Sequence, residues 1–372
     1  MDTLKIGVGI LLLLLILSDT FETIVLPRTV TRRLRLTRFY YLVLWGAYGV
    51  LTRRNRKRYG EARFDNAFGP LSLLLLILLW ACGLIFGFAL VNWGLGSPTH
   101  ADHMQPGLFT DIYLSGTTFF TLGLGDVIPT STMARVLAVL EAGTGFGFLA
   151  IVIGYLPIIY QSFSRRETGI TLLDSRAGSP PTAGELIRRH ADADSMDAMA
   201  PLLLTMEAWA SDLLESHLSY PVLVFYRSQH DRESWLATLT VMLDVSALLM
   251  VGFEDKPDWQ RGLQWQAKQT YAMCRHVAVD ISLVLHLPLA DWNDVRLPAE
   301  RMVRMRARLA DAGLKPLSDP EAAARLNELR RQYEPYLAAM SDRLHQILPP
   351  WIGDSEAADN WRTGIGDQDS HL

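Results

Sequence analysis

Three long apolar runs, all within the first 160 residues, limit this chain more than any other feature. They are Leu4 to Leu26 (LKIGVGILLLLLILSDTFETIVL), Gly69 to Gly94 and Ala134 to Tyr160. A helix that crosses the hydrocarbon core of a bilayer needs about 20 apolar residues, and each run supplies them. The third, at 1.5 Å per residue, is roughly 40 Å long and is expected to emerge into the cytoplasm. The first does not read as a signal peptide: its basic lead is Lys5 alone, and no small-residue cleavage site follows. Beyond Tyr160 the composition changes to Ala, Leu, Arg, Asp and Glu, as in a water-soluble helical domain. The fold class expected is therefore an all-α membrane protein with a separate helical domain.

Basic residues orient the spans. A dense set of arginines and one lysine runs from Arg28 to Arg63, whereas Gly94 to Ala134 contains no Lys or Arg. The positive-inside rule puts the first loop in the cytoplasm and the second outside. The N-terminus is then outside, and Arg165 and Arg166 hold the C-terminal part inside. The segment Phe39 to Leu51 is apolar but short and flanked by arginines, which suits a helix lying in the inner interface. The early arginines are not spaced at three-residue intervals along a span, so no voltage sensor is expected. The net charge of −4 gives no reason to expect a nucleic-acid partner.

Asp19, Glu22 and Glu141 are acids inside apolar runs. Charge in a membrane is costly, and such residues are either functional or paired. Structural roles are expected for all three: Asp19 and Glu22 with Arg28 or Arg32, and Glu141 with a neighbouring helix or a backbone amide. Cys82 and Cys274 lack metal-ligand spacing and are expected to be two buried thiols.

Between the second and third spans lies LFTDIYLSGTTFF (Leu108 to Phe120), apolar but too short to cross. It reads as a half-helix that enters the membrane and stops, with Thr110 or Asp111 able to cap its start. Its C-terminal end carries the negative pole of the helix dipole, which favours a cation. The chain then returns through TLGLGD. Non-helical backbone at membrane depth must be buried or line a water-filled path. Alternate glycines allow backbone angles that turn successive carbonyls to one side, and rings of such carbonyls can replace the water around a cation.

TTFFTLGLGD (117–126) resembles the signature of potassium-channel pores, Thr-Val-Gly-Tyr-Gly-Asp, and the resemblance extends over roughly Gly69 to Tyr160. It implies an outer helix, pore helix, selectivity filter and inner helix. It assigns Thr121 to the innermost potassium site, the carbonyls of Leu122, Gly123, Leu124 and Gly125 to the filter, and Asp126 to the outer aspartate. It also implies four chains around one pore, because this chain has one pore loop. Two positions depart from the family. Its tyrosine is Leu124, which cannot hydrogen-bond, so packing against Tyr113, Leu114 or Phe119 is expected to substitute. The glutamate often found behind the filter is matched by Thr117, so a Glu–Asp strut is absent.

The third span contains Gly143, Gly145 and Gly147, with Pro157 near its end. By the resemblance Gly145 lies at the distance of a hinge glycine. Close helix packing through small residues explains the same glycines equally well. Pro157 removes a helix hydrogen bond and is a further gating candidate. Ile153, Leu156 and Ile159 could narrow the inner mouth and gate by dewetting.

Residues 1–68 are thus read as an extra transmembrane helix and a basic interfacial segment, 69–166 as the pore domain and 167–184 as a Gly/Pro/Ser linker. Residues 185–350 are read as a cytoplasmic helical domain, and 351–372 as a disordered tail. Trp235 to Phe253 is long enough to be a marginal span, but Asp244 at its centre favours a buried helix of the domain. Nucleotide-binding, cyclic-nucleotide and EF-hand signatures are not evident. The histidines show no metal spacing, and Trp209, Trp235, Trp259 and Trp265 read as core. No catalytic constellation is visible, so a non-enzyme is expected, with no cofactor or metal beyond the permeating K+. Its expected partners are three further copies of itself, the lipid bilayer and an unidentified regulator of the helical domain. The leading function is a potassium-selective channel in the cell membrane. The alternatives are a non-selective cation channel and a membrane-anchored signalling or scaffold protein with a vestigial pore. An ion-uptake transporter subunit fits less well, because such proteins carry several unequal pore loops.

Overall fold

Helices supply every long element of the computed structural model. It describes residues 2–26, 36–59, 65–101, 105–228, 233–254, 258–291 and 296–353, with the backbone alone for 49–59 and 65–66. The chain forms two compact units, Met1–Gln161 and Ser162–Leu372. Among the described residues three helices are long and apolar enough to cross a membrane: α1 (Thr3–Ile24), α3 (Asp65–Gly94) and α5 (Thr132–Ala177).

In the first unit α1 packs lengthwise on α3 through small residues. A β-carbon on Gly9 would lie 2.8 Å from the Gly87 carbonyl oxygen, and one on Gly83 would meet Ile16 at 2.2 Å. Close backbone approach is the usual means of helix association in lipid. The helix α2 (Leu36–Tyr59) joins them through Asp19. This carboxylate accepts hydrogen bonds from the Thr37 hydroxyl (2.6 Å), the Thr37 amide (3.2 Å) and the Trp80 indole N–H (2.9 Å). The expected partners Arg28 and Arg32 lie outside the described residues. Tyr40 adds a hydrogen bond to the Ser72 carbonyl oxygen, and Trp45 packs edge-on against Phe68. Cys82 is exposed on α3 rather than buried, because it lies on the side turned away from these contacts.

The half-helix α4 is Leu108–Phe119, close to the length the sequence predicts. Its start differs from expectation. Gly107 occupies the N-cap position, and neither Thr110 nor Asp111 caps. Thr110 donates instead to the Gln105 carbonyl, and Asp111 accepts from Ser97 at 2.5 Å. On either side of α4 run two short strands the sequence did not announce, β1 (Thr99–Ala101) and β2 (Val127–Pro129), paired antiparallel with His100 opposite Ile128. Three residues are too few to show an alternating pattern.

The second unit is built around α8 (Trp235–Val251), buried over nearly its whole length. Around it lie α6 (Ala183–Asp192), α7 (Met199–Ser219), α9 (Gln260–Val284), α10 (Ala299–Asp311), α11 (Pro320–Arg331) and α12 (Glu334–Leu344). Burial of α8 in protein, as expected, rests on pairing of Asp244. Asp244 is fully buried, ion-paired with Arg296, and accepts from the Tyr333 hydroxyl at 2.7 Å. Arg296 also reaches Glu334 at 3.1 Å and the Pro349 carbonyl at 2.9 Å.

Several boundaries move. The linker expected over 167–184 is helical to Ala177, the end of α5, with Ile170, Leu173 and Ala177 buried. These apolar residues recur at helical spacing, and the Gly/Pro signal that hid them applies only from Gly178 onward. The first residues of the expected tail are packed: Trp351 and Ile352 are buried, with the Trp351 indole on Glu334 and Arg330 over its ring. Residues 354–372 lie outside the described residues. Trp209 and Trp235 are core as expected, whereas Trp265 is 65 % exposed.

Two outcomes test this unit. Arg296→Met leaves Asp244 as an uncompensated buried charge, and the full chain in detergent is expected to lose about 3–5 kcal/mol in denaturant unfolding. Burial pushes the Glu233 carboxyl up to about 7 from 4.5, with the charges of Asp174 and Glu167 adding to it. A carboxyl whose folded pKa is raised favours the fold at low pH, so the Glu233 contribution is lost as pH rises from 4.5 to about 7. The melting temperature is expected to fall across that window in the wild type and to fall less in Glu233→Gln.

Candidate functional site: a half-helix and its return loop

The end of α4 is fixed by packing. Phe119 is 2 % exposed and sits in a cluster with Ile16 of α1 and Leu76, Trp80 and Leu84 of α3. Phe148 of α5 closes the same cluster, 5.8 Å from Phe119 between ring centroids. The inner helix can come this close because of one glycine. A β-carbon on Gly145 would stand 2.0 Å from the Phe119 carbonyl oxygen. Gly143 and Gly147 face open space in the single chain. Of the two roles the sequence left open for these glycines, Gly145 therefore has a packing role. The helix continues through all three and through Pro157 without interruption.

The backbone leaves helical geometry immediately after Phe119, and its amides are then taken up one by one. Phe120 N–H donates to Gly116 O (3.1 Å), Thr121 N–H to Thr118 O (3.0 Å) and Leu122 N–H to Thr117 O (2.7 Å). Gly123 N–H reaches the same Thr117 oxygen at 3.4 Å. The last turn of α4 thereby becomes the template for the loop.

The loop alternates in handedness. Thr121, Gly123 and Gly125 have φ of 58°, 53° and 80°, whereas Leu122 and Leu124 between them lie outside the left-handed region. Glycine adopts this region freely. For a β-branched threonine it is strained, and such strain gathers at functional positions. All six residues from Thr121 to Asp126 are exposed in the single chain.

Asp126 closes the loop onto α4. Its Oδ2 accepts from the Tyr113 hydroxyl at 2.7 Å, and its Oδ1 from the Val127 amide at 3.1 Å. The sequence reading named Tyr113 only as a packing partner for Leu124. Leu124 instead is 64 % exposed, while Leu114 and Phe119 are buried in the helices behind it. Thr117 gives no strut to Asp126, as expected; its hydroxyl donates to Leu114 O. A second tie lies deeper. The Ser115 hydroxyl contacts both the Ile85 carbonyl oxygen of α3 (2.7 Å) and Glu141 of α5. Glu141 thus pairs with a neighbouring helix, as the sequence suggested.

The candidate gate residues divide. Ile153 is 64 % exposed, whereas Ile159 is buried at 2 %. No group of three metal-ligating side chains occurs among the described residues.

Residues 73–162 match the family model described as "Ion channel", and they take in the half-helix, its return loop and parts of two of the helices long and apolar enough to cross a membrane. The chain is also 22 % identical over 207 residues to the uncharacterized membrane protein YdjJ of Bacillus subtilis (strain 168). That similarity covers 54 % of this chain and 59 % of the relative, so the chain spans little more than half the relative's length. No solved structure matches the chain.

Gly145→Ala is the sharpest test of the packing. A methyl group there collides with backbone that cannot yield, and the full chain is expected to lose about 1–3 kcal/mol of stability. Gly143→Ala and Gly147→Ala are expected to melt within a few degrees of the wild type.

Proposed function

We propose that four copies of this chain assemble into a potassium-selective channel, with Thr121, Leu122, Gly123, Leu124, Gly125 and Asp126 of each as its filter. The supporting observation is the alternation of handedness at Thr121, Gly123 and Gly125, directly beyond a half-helix whose negative pole ends at Phe119. Alternating handedness directs successive carbonyls to one side of a strand. Four such strands around an axis form stacked oxygen rings that take the place of the ion's water. The half-helix dipole favours a cation at the inner end of those rings.

Fourfold assembly accounts for the exposed apolar residues of the single chain. Val139, Phe146 and Ile153 on α5 are 73 %, 69 % and 64 % exposed, and Phe109 at the start of α4 is 84 % exposed. In the proposed orientation the N-terminus and the β1–β2 ribbon lie outside the cell membrane, and the second unit is cytoplasmic. Conduction is passive, driven by the gradient and the membrane potential. Gly143, Gly147 and Pro157 are the gating positions that packing leaves available.

A second reading, a non-selective cation channel, is favoured by Leu124 alone, because it makes no hydrogen bond that would steady the filter's middle. Bi-ionic reversal potentials of the purified protein in planar bilayers separate the two. A reversal near the potassium equilibrium potential, with currents abolished by Gly123→Ala, is the expected outcome. Equal permeation of potassium and sodium would establish the second reading. A folded, silent wild-type tetramer would remove both in favour of a vestigial pore.

A further inference from the structure

Glu141 is an acid within the apolar run of α5, 1 % exposed, and its partner is a hydroxyl rather than a cation. We propose that Glu141 is a neutral carboxylic acid. It donates its proton to Ser115 and, through Ser115, to the Ile85 carbonyl, and so holds the pore helix between its two neighbours.

A count of protons carries the argument. The Ser115 hydroxyl owns one hydrogen but contacts two oxygens, the Ile85 carbonyl at 2.7 Å and Glu141 Oε1. A backbone carbonyl only accepts, so the hydroxyl proton satisfies Ile85. The Ser115 oxygen then presents a lone pair to Glu141. A carboxylate would place two acceptors face to face, whereas a carboxylic acid supplies the missing proton. Both contacts are satisfied together in the neutral form alone.

The surroundings agree. The sequences of α3 and α4 contain no Lys, Arg or His. On α5, Arg135 is the one cation before Arg165, and its Nε donates to the Pro129 carbonyl. The one acid on α4 is Asp111, one turn before Ser115, fully buried with Ser97 donating to it, and it offers no positive charge. On α1, Lys5 pairs with Asp2 and lies 3.4 Å from the Trp93 ring centroid, and Asp19 accepts from Thr37 and Trp80. An unpaired carboxylate in such a medium carries a penalty that neutralisation avoids.

The consequence reaches the filter. Ser115 lies two residues before Thr117, whose carbonyl accepts from Leu122 and Gly123 at the loop's first turn. The relay joins α5, α4 and α3 at that level, which makes Glu141 a positioning residue for the proposed conduction path. This functional part rests on the channel reading; the protonation state does not.

Infrared difference spectroscopy of the full chain in lipid at pH 7, wild type minus Glu141→Gln, tests the protonation directly. The amide N–H of Gln can donate to Ser115 as the acid does, so the variant is expected to fold. A hydrogen-bonded carboxylic C=O band present in the wild type and lost in Glu141→Gln is the expected result. Carboxylate stretches lost in its place would overturn the proposal. Positioning is read separately from bi-ionic reversal potentials. Glu141→Gln is expected to retain the wild-type value, and Ser115→Ala, with its small change in volume, to shift it toward equal permeation. An unshifted Ser115→Ala would remove the positioning role. A wild type without currents would overturn the channel reading while leaving the infrared result intact.

Discussion

A backbone that stops being helical inside a membrane must find partners for its amides without help from water, and everything around Phe119 answers that demand. The final turn of α4 offers its carbonyls at Gly116, Thr117 and Thr118 to the loop that follows. Those carbonyls are in place because Phe119 is set in an apolar cluster contributed by α1, α3 and α5. The cluster closes because Gly145 lets the inner helix touch the Phe119 backbone. The left-handed turns at Thr121, Gly123 and Gly125 stand on this support, and the Tyr113–Asp126 hydrogen bond fastens their outer end.

The two units bury acids by different means. In the second, Asp244 and Glu334 share the guanidinium groups of Arg296 and Arg330, and removal of either cation would strand a charge. In the first, Asp19 is met by a hydroxyl, an amide and an indole, and Glu141 by a hydroxyl. For Glu141 the division follows sequence composition: arginines are plentiful after residue 162 and nearly absent from 64 to 161.

Much of the architecture was legible in the sequence because the signals were local. The spans followed from length and hydropathy, the half-helix from its shortness, and the loop from its alternate glycines. Partners distant in sequence were not legible. Trp80, which donates to Asp19 from 61 residues away, gave no local sign of doing so. Tyr113 was named for packing when its hydroxyl was the useful part, since a phenol thirteen residues before an aspartate has no recognisable pattern. The linker was misread because one Gly/Pro cluster outweighed the helical spacing of Ile170, Leu173 and Ala177 before it. Trp351 and Ile352 were lost to a polar tail for the same reason: two apolar residues do not offset a mostly polar stretch by composition, but they do by burial. Gly145 could be placed as an interesting glycine, but only the Phe119 oxygen decides between bending and contact.

The Asp19 knot also has a consequence for synthesis. Helix α1 carries this carboxylate, and its partners follow it in the chain by 18 and 61 residues. At about 5–20 residues per second, several seconds separate the emergence of Asp19 from that of Trp80. During that interval α1 lacks the indole donor that Asp19 holds in the folded chain, and α3 supplies it on packing.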